Sequence, residues 1–85
     1  MGIKMNNIEI ITEIIKEEMS MELDPEMEIA PDMELAADLH IDSLNMVLIV
    51  GRIEEEFEVE IDYEEIVGIR TINDIDSKIN ELKQN

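Results

Sequence analysis

The chain is 85 residues long and carries a formal net charge of −17, from 23 acidic and 6 basic side chains. That length supports one small domain with a limited core, and self-repulsion makes such a fold sensitive to salt. With so few cations nucleic acid is excluded as a partner and anionic membranes are disfavoured; without cysteine a disulfide scaffold and a thiolate metal site are excluded too.

The whole of 1–85 reads as one domain, with residues 1–5 as a short tail. Only Phe57 and Tyr63 are aromatic. The interior must therefore be built from isoleucine, leucine, valine and methionine. No stretch approaches the roughly 20 apolar residues of a membrane span. The N-terminus lacks the pattern of a signal peptide. Asn6 breaks the myristoylation pattern that Met1-Gly2 would begin. A cytoplasmic monomer is the expectation, with its charge steering basic partners rather than acting only as a solubiliser.

The first helix is expected from Asn7 to about Met19. Asn6 caps it, with Glu9 three residues on as the other half of a capping box. Ile8, Ile11 and Ile15 form a core-facing stripe that Ile10, Ile14 and Met19 widen. Residues 20–41 follow as a long connection broken by Pro25 and Pro31, with Asp24-Pro25 placed to start a helical turn. Met27, Ile29, Met33, Leu35, Leu39 and Ile41 are its anchors to the core. Its acids run unrelieved by any Lys or Arg from Glu17 to Asp38.

Asp42 is a good N-cap residue, which puts Ser43 at the first position of a second helix running to about Phe57. Projected at about 100° per residue, Met46, Ile49, Val50, Ile53 and Phe57 make a buried stripe. Leu44, Val47, Leu48 and Gly51 fall on the other side, among Asn45, Arg52, Glu54 and Glu55. One apolar face is enough for packing in a small bundle, so the second needs its own explanation.

Glu58 to Ile61 alternates in polarity but has no strand partner and reads as an extended connector. Asp62 with Glu65 repeats the capping pattern and opens a short helix through Val67, which Gly68 ends. Thr71 with Asp74 caps the last helix, whose stripe is Ile72, Ile75, Ile79 and Leu82. Three main helices and one short one make an all-α fold.

Ser43 is a poor candidate for a hydrolytic nucleophile. The single histidine, His40, is the only imidazole that could serve it as a base, and no G-x-S-x-G elbow is present. His40 reads better as an exposed loop side chain. An acceptor of a phosphate ester needs less: exposure, and a helix start whose free amides and dipole favour negative charge. A Ser43 that merely belongs to a helix cap is the plain alternative. No calcium-binding loop pattern or other metal site is visible.

The segment Glu34-Leu35-Ala36-Ala37-Asp38-Leu39-His40-Ile41-Asp42-Ser43-Leu44 resembles the acyl and peptidyl carrier proteins, as do the Ile53-Glu54-Glu55-Glu56-Phe57 ending and the capped last helix. The resemblance runs from Ile8 to Leu82. It implies a small four-helix bundle of acyl-carrier type, non-catalytic, with 4′-phosphopantetheine joined to Ser43 inside the attachment motif Asp42-Ser43-Leu44. A phosphopantetheinyl transferase would install the arm, bringing magnesium, coenzyme A and the base. The resemblance further implies that Leu44, Asn45, Val47, Leu48, Gly51, Glu54 and Glu55 meet acyl-loading, condensing and acyl-transfer enzymes with basic docking surfaces.

Three positions depart from the pattern of fatty-acid synthase carriers. His40 stands where glycine is usual, Asn45 replaces a common acid, and Leu48 replaces a usual glutamate. The recognition end of the second helix is thereby less acidic and more apolar, which suggests a dedicated fatty-acid or polyketide-type pathway. An aminoacyl or peptidyl carrier stays open, as does a helical interaction module without a prosthetic group. The core stripe of the second helix could also part to admit an acyl chain, although plain packing is the preferred reading.

Overall fold

In the computed structural model, which describes residues 5–24 and 26–84, four helices follow in order: α1 Asn7–Glu18, α2 Ser43–Phe57, α3 Tyr63–Val67 and α4 Ile72–Lys83. The fold is the all-α bundle expected, with α1 packed against both α2 and α4 and the short α3 against α2. None of the helices among the described residues is long and apolar enough to cross a membrane. The first four residues of the expected tail lie outside the described residues.

Both capping boxes form. Asn6 Oδ1 accepts the Glu9 N–H at 2.8 Å, and the Asn6 N–H donates to Glu9 Oε1 at 3.1 Å. Thr71 Oγ1 accepts the Asp74 N–H at 3.2 Å, and the Thr71 N–H returns to Asp74 Oδ2 at 3.1 Å. Each pair satisfies two donors that a helix start would leave open. The third expected pair does not form: Asp62 makes no side-chain cap bond. Its backbone carbonyl closes the start of α3 instead, accepting from Glu65 and Ile66. The Glu65 carboxylate turns towards α4, where its Oε2 lies 3.9 Å from Lys78 Nζ.

The core contains no buried polar or charged residue among those described. Ile11, Ile15, Ile49, Ile53, Ile72, Ile75 and Ile79 are fully buried, so the three long helices meet through branched aliphatic side chains. The long connection after α1 is pinned by Met19, Leu35, Leu39 and Ile41, all buried, while Met27, Ile29 and Met33 pack partly against the core. Asp24 and Met27 close a single turn, with the Met27 N–H donating to the Asp24 carbonyl at 3.0 Å, and no helix follows it. Pro25 itself lies outside the described residues.

Backbone bonds add what hydrophobic anchoring alone would leave loose. The Leu35 N–H donates to the Arg70 carbonyl at 2.8 Å and the Asn73 N–H to the Pro31 carbonyl at 3.1 Å. Glu34 and Thr71 pair as an isolated antiparallel bridge. Arg52 ties α2 to the end of α1, donating to Glu17 at 2.7 Å and to Glu18 at 3.1 Å. These hydrogen bonds raise the guanidinium's pKa above its ordinary value, against a smaller opposing effect of desolvation.

Glu58, which caps the C-terminus of α2, has a φ of 55°. A side chain in that left-handed region is strained, and the position is one that glycine fills without penalty. A carboxylate there also faces the negative end of the helix dipole. Glu58→Gly is therefore expected to stabilise the fold by about 1 kcal/mol. In a domain of this size that gain reads out as a rise of ~4–8 °C in Tm by thermal denaturation. An unchanged or lowered midpoint would show that the strain is not relieved by removing the side chain.

Candidate functional site

Asp38 and Leu39 prepare the approach to α2. Asp38 Oδ2 accepts the Glu34 N–H at 2.8 Å, and the Asp38 N–H donates to the Glu34 carbonyl at 2.8 Å. Leu39 is buried beneath this closed turn. His40 then takes a φ of 58°, its N–H bonded to the Ala36 carbonyl and that of Ile41 to the Leu35 carbonyl. The chain reverses here and delivers Asp42 to the helix start. A left-handed residue at this point explains in physical terms why glycine suits it, and why a histidine carries some strain. His40 is exposed, as expected, and contributes through its backbone.

Asp42 caps α2 in extended conformation, its Oδ1 accepting the Asn45 N–H at 2.8 Å and its carbonyl the Met46 N–H at 2.9 Å. The amides of Ser43 and Leu44 are left as open donors at the positive end of the helix dipole. The first turn of α2 adds no acidic side chain. Ser43, its first residue, is exposed. A phosphodiester on this hydroxyl would meet unpaired N–H groups rather than an occluding wall, so the residues present fit a phosphopantetheine arm.

Ser43 also lines a cleft of about 460 Å³ between the start of α2 and the segment that carries α3. Ile41, Met46, Ile66 and Ile69 give it apolar walls, with Val47 and Val67 beside them. Met46 thus belongs both to the core and to the cleft, so the stripe read as plain packing has one member open to a cavity. The sequence reading gave α3 no part in the site. Tyr63 and Val67, at 69% and 68% exposed, are large apolar surfaces on it that only their place opposite α2 makes meaningful. Arg70, which also lines the cleft, was likewise passed over, although an isolated cation in so acidic a chain was a usable signal.

The outward face of α2 stands where its periodicity put it. Leu44 is 70% exposed, Leu48 51% and Val47 44%, and a side chain added at Gly51 would meet nothing within 4 Å. Asn45 is half-buried and Glu55 exposed. Glu54 differs from a free acidic edge: its Oε2 accepts the Ile61 N–H at 2.8 Å, and it is half-buried. That bond, with the Val59 N–H on the Glu54 carbonyl, fixes the extended connector against α2. Among the described residues no group of three or more His, Cys, Asp or Glu is arranged to hold a metal ion.

No curated protein matches the chain. The family model described as "Phosphopantetheine attachment site" matches residues 9–75, which takes in most of α1, the long connection, α2, α3 and the start of α4. The chain thus belongs to the phosphopantetheine-attachment family of carrier domains, whose members hold 4′-phosphopantetheine covalently.

Proposed function

We propose that this chain is an acyl carrier protein, cytoplasmic and modified at Ser43, that serves a specialised fatty-acid or polyketide-type pathway. The observation that supports the attachment point is the exposed Ser43 at the first position of α2, with two open amides beside it and the cleft at its side. Ser43 supplies the hydroxyl oxygen, Asp42 sets the helix start that presents it, and Leu44 offers an exposed contact for the transferase. When bound, the arm supplies the thiol that a chain without cysteine lacks and carries acyl groups as thioesters. The test is intact mass after co-expression with a broad-specificity phosphopantetheinyl transferase. One phosphopantetheine per chain is expected, and an unmodified mass with several transferases would favour an interaction module instead.

Leu44, Val47 and Leu48 around the bare backbone of Gly51 form an apolar centre on α2, with Glu55 at its distal end. Such a surface suits brief docking: apolar burial gives modest affinity, and complementary charge speeds encounter with a basic partner. Leu48 is where the pathway is read most directly. Leu48→Glu is expected to improve exchange with housekeeping fatty-acid enzymes, measured as acyl-transfer rate from a common acyl-transferase. An unchanged rate would remove this account of the altered face. Loading by an acyl-carrier synthetase rather than by adenylation domains would separate acyl from aminoacyl cargo.

A further inference from the structure

Every described cation but one has an evident electrostatic role. Arg52 is held by Glu17 and Glu18, and Lys78 lies within 4 Å of Glu65 and Glu81. Lys16 and Lys83 stand in the last turns of α1 and α4, where the helix dipole favours positive charge. Arg70 is the exception. It is exposed, and its guanidinium has neither ion pair nor hydrogen bond in a chain with 23 carboxylate side chains.

Its root is nevertheless fixed. The Arg70 N–H donates to Asp74 Oδ2 at 2.9 Å, and its carbonyl accepts the Leu35 N–H at 2.8 Å. The side chain starts from this pinned backbone at the lining of the cleft that Ser43 also lines. The only other charged residues there are Glu34 and Asp42. They discourage a free anion from entering, but a chain tethered at Ser43 arrives at a high effective concentration and overcomes that repulsion.

We propose that Arg70 makes the cleft selective for tethered acyl groups ending in a carboxylate, an inference that rests on Ser43 being the attachment point. A guanidinium presents a planar fork that matches a carboxylate with two parallel hydrogen bonds. The walls of Ile41, Met46, Ile66 and Ile69 cover the aliphatic part of the cargo. The arm's own phosphodiester has the open amides of Ser43 and Leu44, which leaves Arg70 to the far end of the chain.

The experiment loads the full chain in three ways with a promiscuous transferase, from coenzyme A, butyryl-coenzyme A and succinyl-coenzyme A, each checked by intact mass. The Arg70 Nε–Hε resonance is expected to move only in the succinyl form. The succinyl form should also melt ~2–4 °C above the butyryl form at low salt. Arg70→Gln should erase that difference and Arg70→Lys keep part of it. A resonance already moved to the same place by the bare arm would mean a phosphodiester contact and overturn the proposal, as would a succinyl form in which Arg70 does not respond. A melting difference that survives Arg70→Gln would overturn it too. Absence of any mass gain would instead bring down the Ser43 reading, and this proposal with it.

Discussion

Ser43→Ala will leave transferase treatment with its mass unchanged, while the parent chain gains one phosphopantetheine. The loss should be complete rather than partial, because the other serine and threonine hydroxyls are poorly placed to substitute. Thr12 Oγ1 donates to the Ile8 carbonyl at 2.7 Å, and Thr71 Oγ1 is taken up in the capping box of α4. Ser77 lies inside α4, where backbone amides are already paired, and Ser20 lies in the turns after α1. None of these sits at the open start of a long helix beside a cleft. The fold should tolerate the change, since Ser43 is exposed, alanine is a good helix former and the Asp42 cap remains. A Tm within ~0.5 kcal/mol equivalents of the parent is the control. A mass gain retained by the variant would move the attachment elsewhere and dissolve the reading of the α2 start.

Helix positions were legible because their determinants are local. The Asn6–Glu9 and Thr71–Asp74 boxes lie within four residues, and the isoleucine stripes repeat at helical spacing. The two faces of α2 could be separated by the same geometry, so the place of Ser43 at the helix start and the exposure of Leu44, Val47 and Leu48 followed from sequence. The interactions that escaped reading join segments far apart in the chain. Nothing local says that Leu35 will bond to Arg70, that Asn73 will bond to Pro31, or that these bonds seat the connection beside α4. Glu54 illustrates the same limit within the site. Its place in an acidic run suggests a solvated charge, but the connector folds back and offers it the Ile61 N–H. Asp62 fails in the other direction: the cap pattern is present, and the backbone closes the turn without it.

The cleft follows from that long-range seating. Its walls come from the turn before α2, from α2 itself, and from α3 with the residues after it. The bond from the Leu35 N–H to the Arg70 carbonyl holds two of these segments together, and that from the Arg70 N–H to Asp74 ties the second of them to α4. The cleft and the backbone pinning are thus the same piece of structure. The apolar core beneath is a separate matter, because Ile49, Val50 and Ile53 are fully buried in it and none of them lines the cleft.

That separation gives the second large effect. Ile53→Ala should destabilise the chain by about 2–5 kcal/mol, the range for truncating a fully buried aliphatic side chain. Domains of this length hold on the order of 4–13 kcal/mol in total, so the variant loses a large share of its stability. Thermal denaturation should show a fall of ~10–30 °C. Leu48→Ala, on the same helix but half exposed, should change the midpoint by no more than the equivalent of ~0.5 kcal/mol. Added salt should raise all three midpoints, because screening weakens the repulsion of a chain at −17. It should leave the gap between Ile53→Ala and the parent nearly constant, since an apolar truncation changes no charge. A gap that closes with salt, or a Leu48→Ala variant as damaged as Ile53→Ala, would mean that the two faces of α2 are not divided as described.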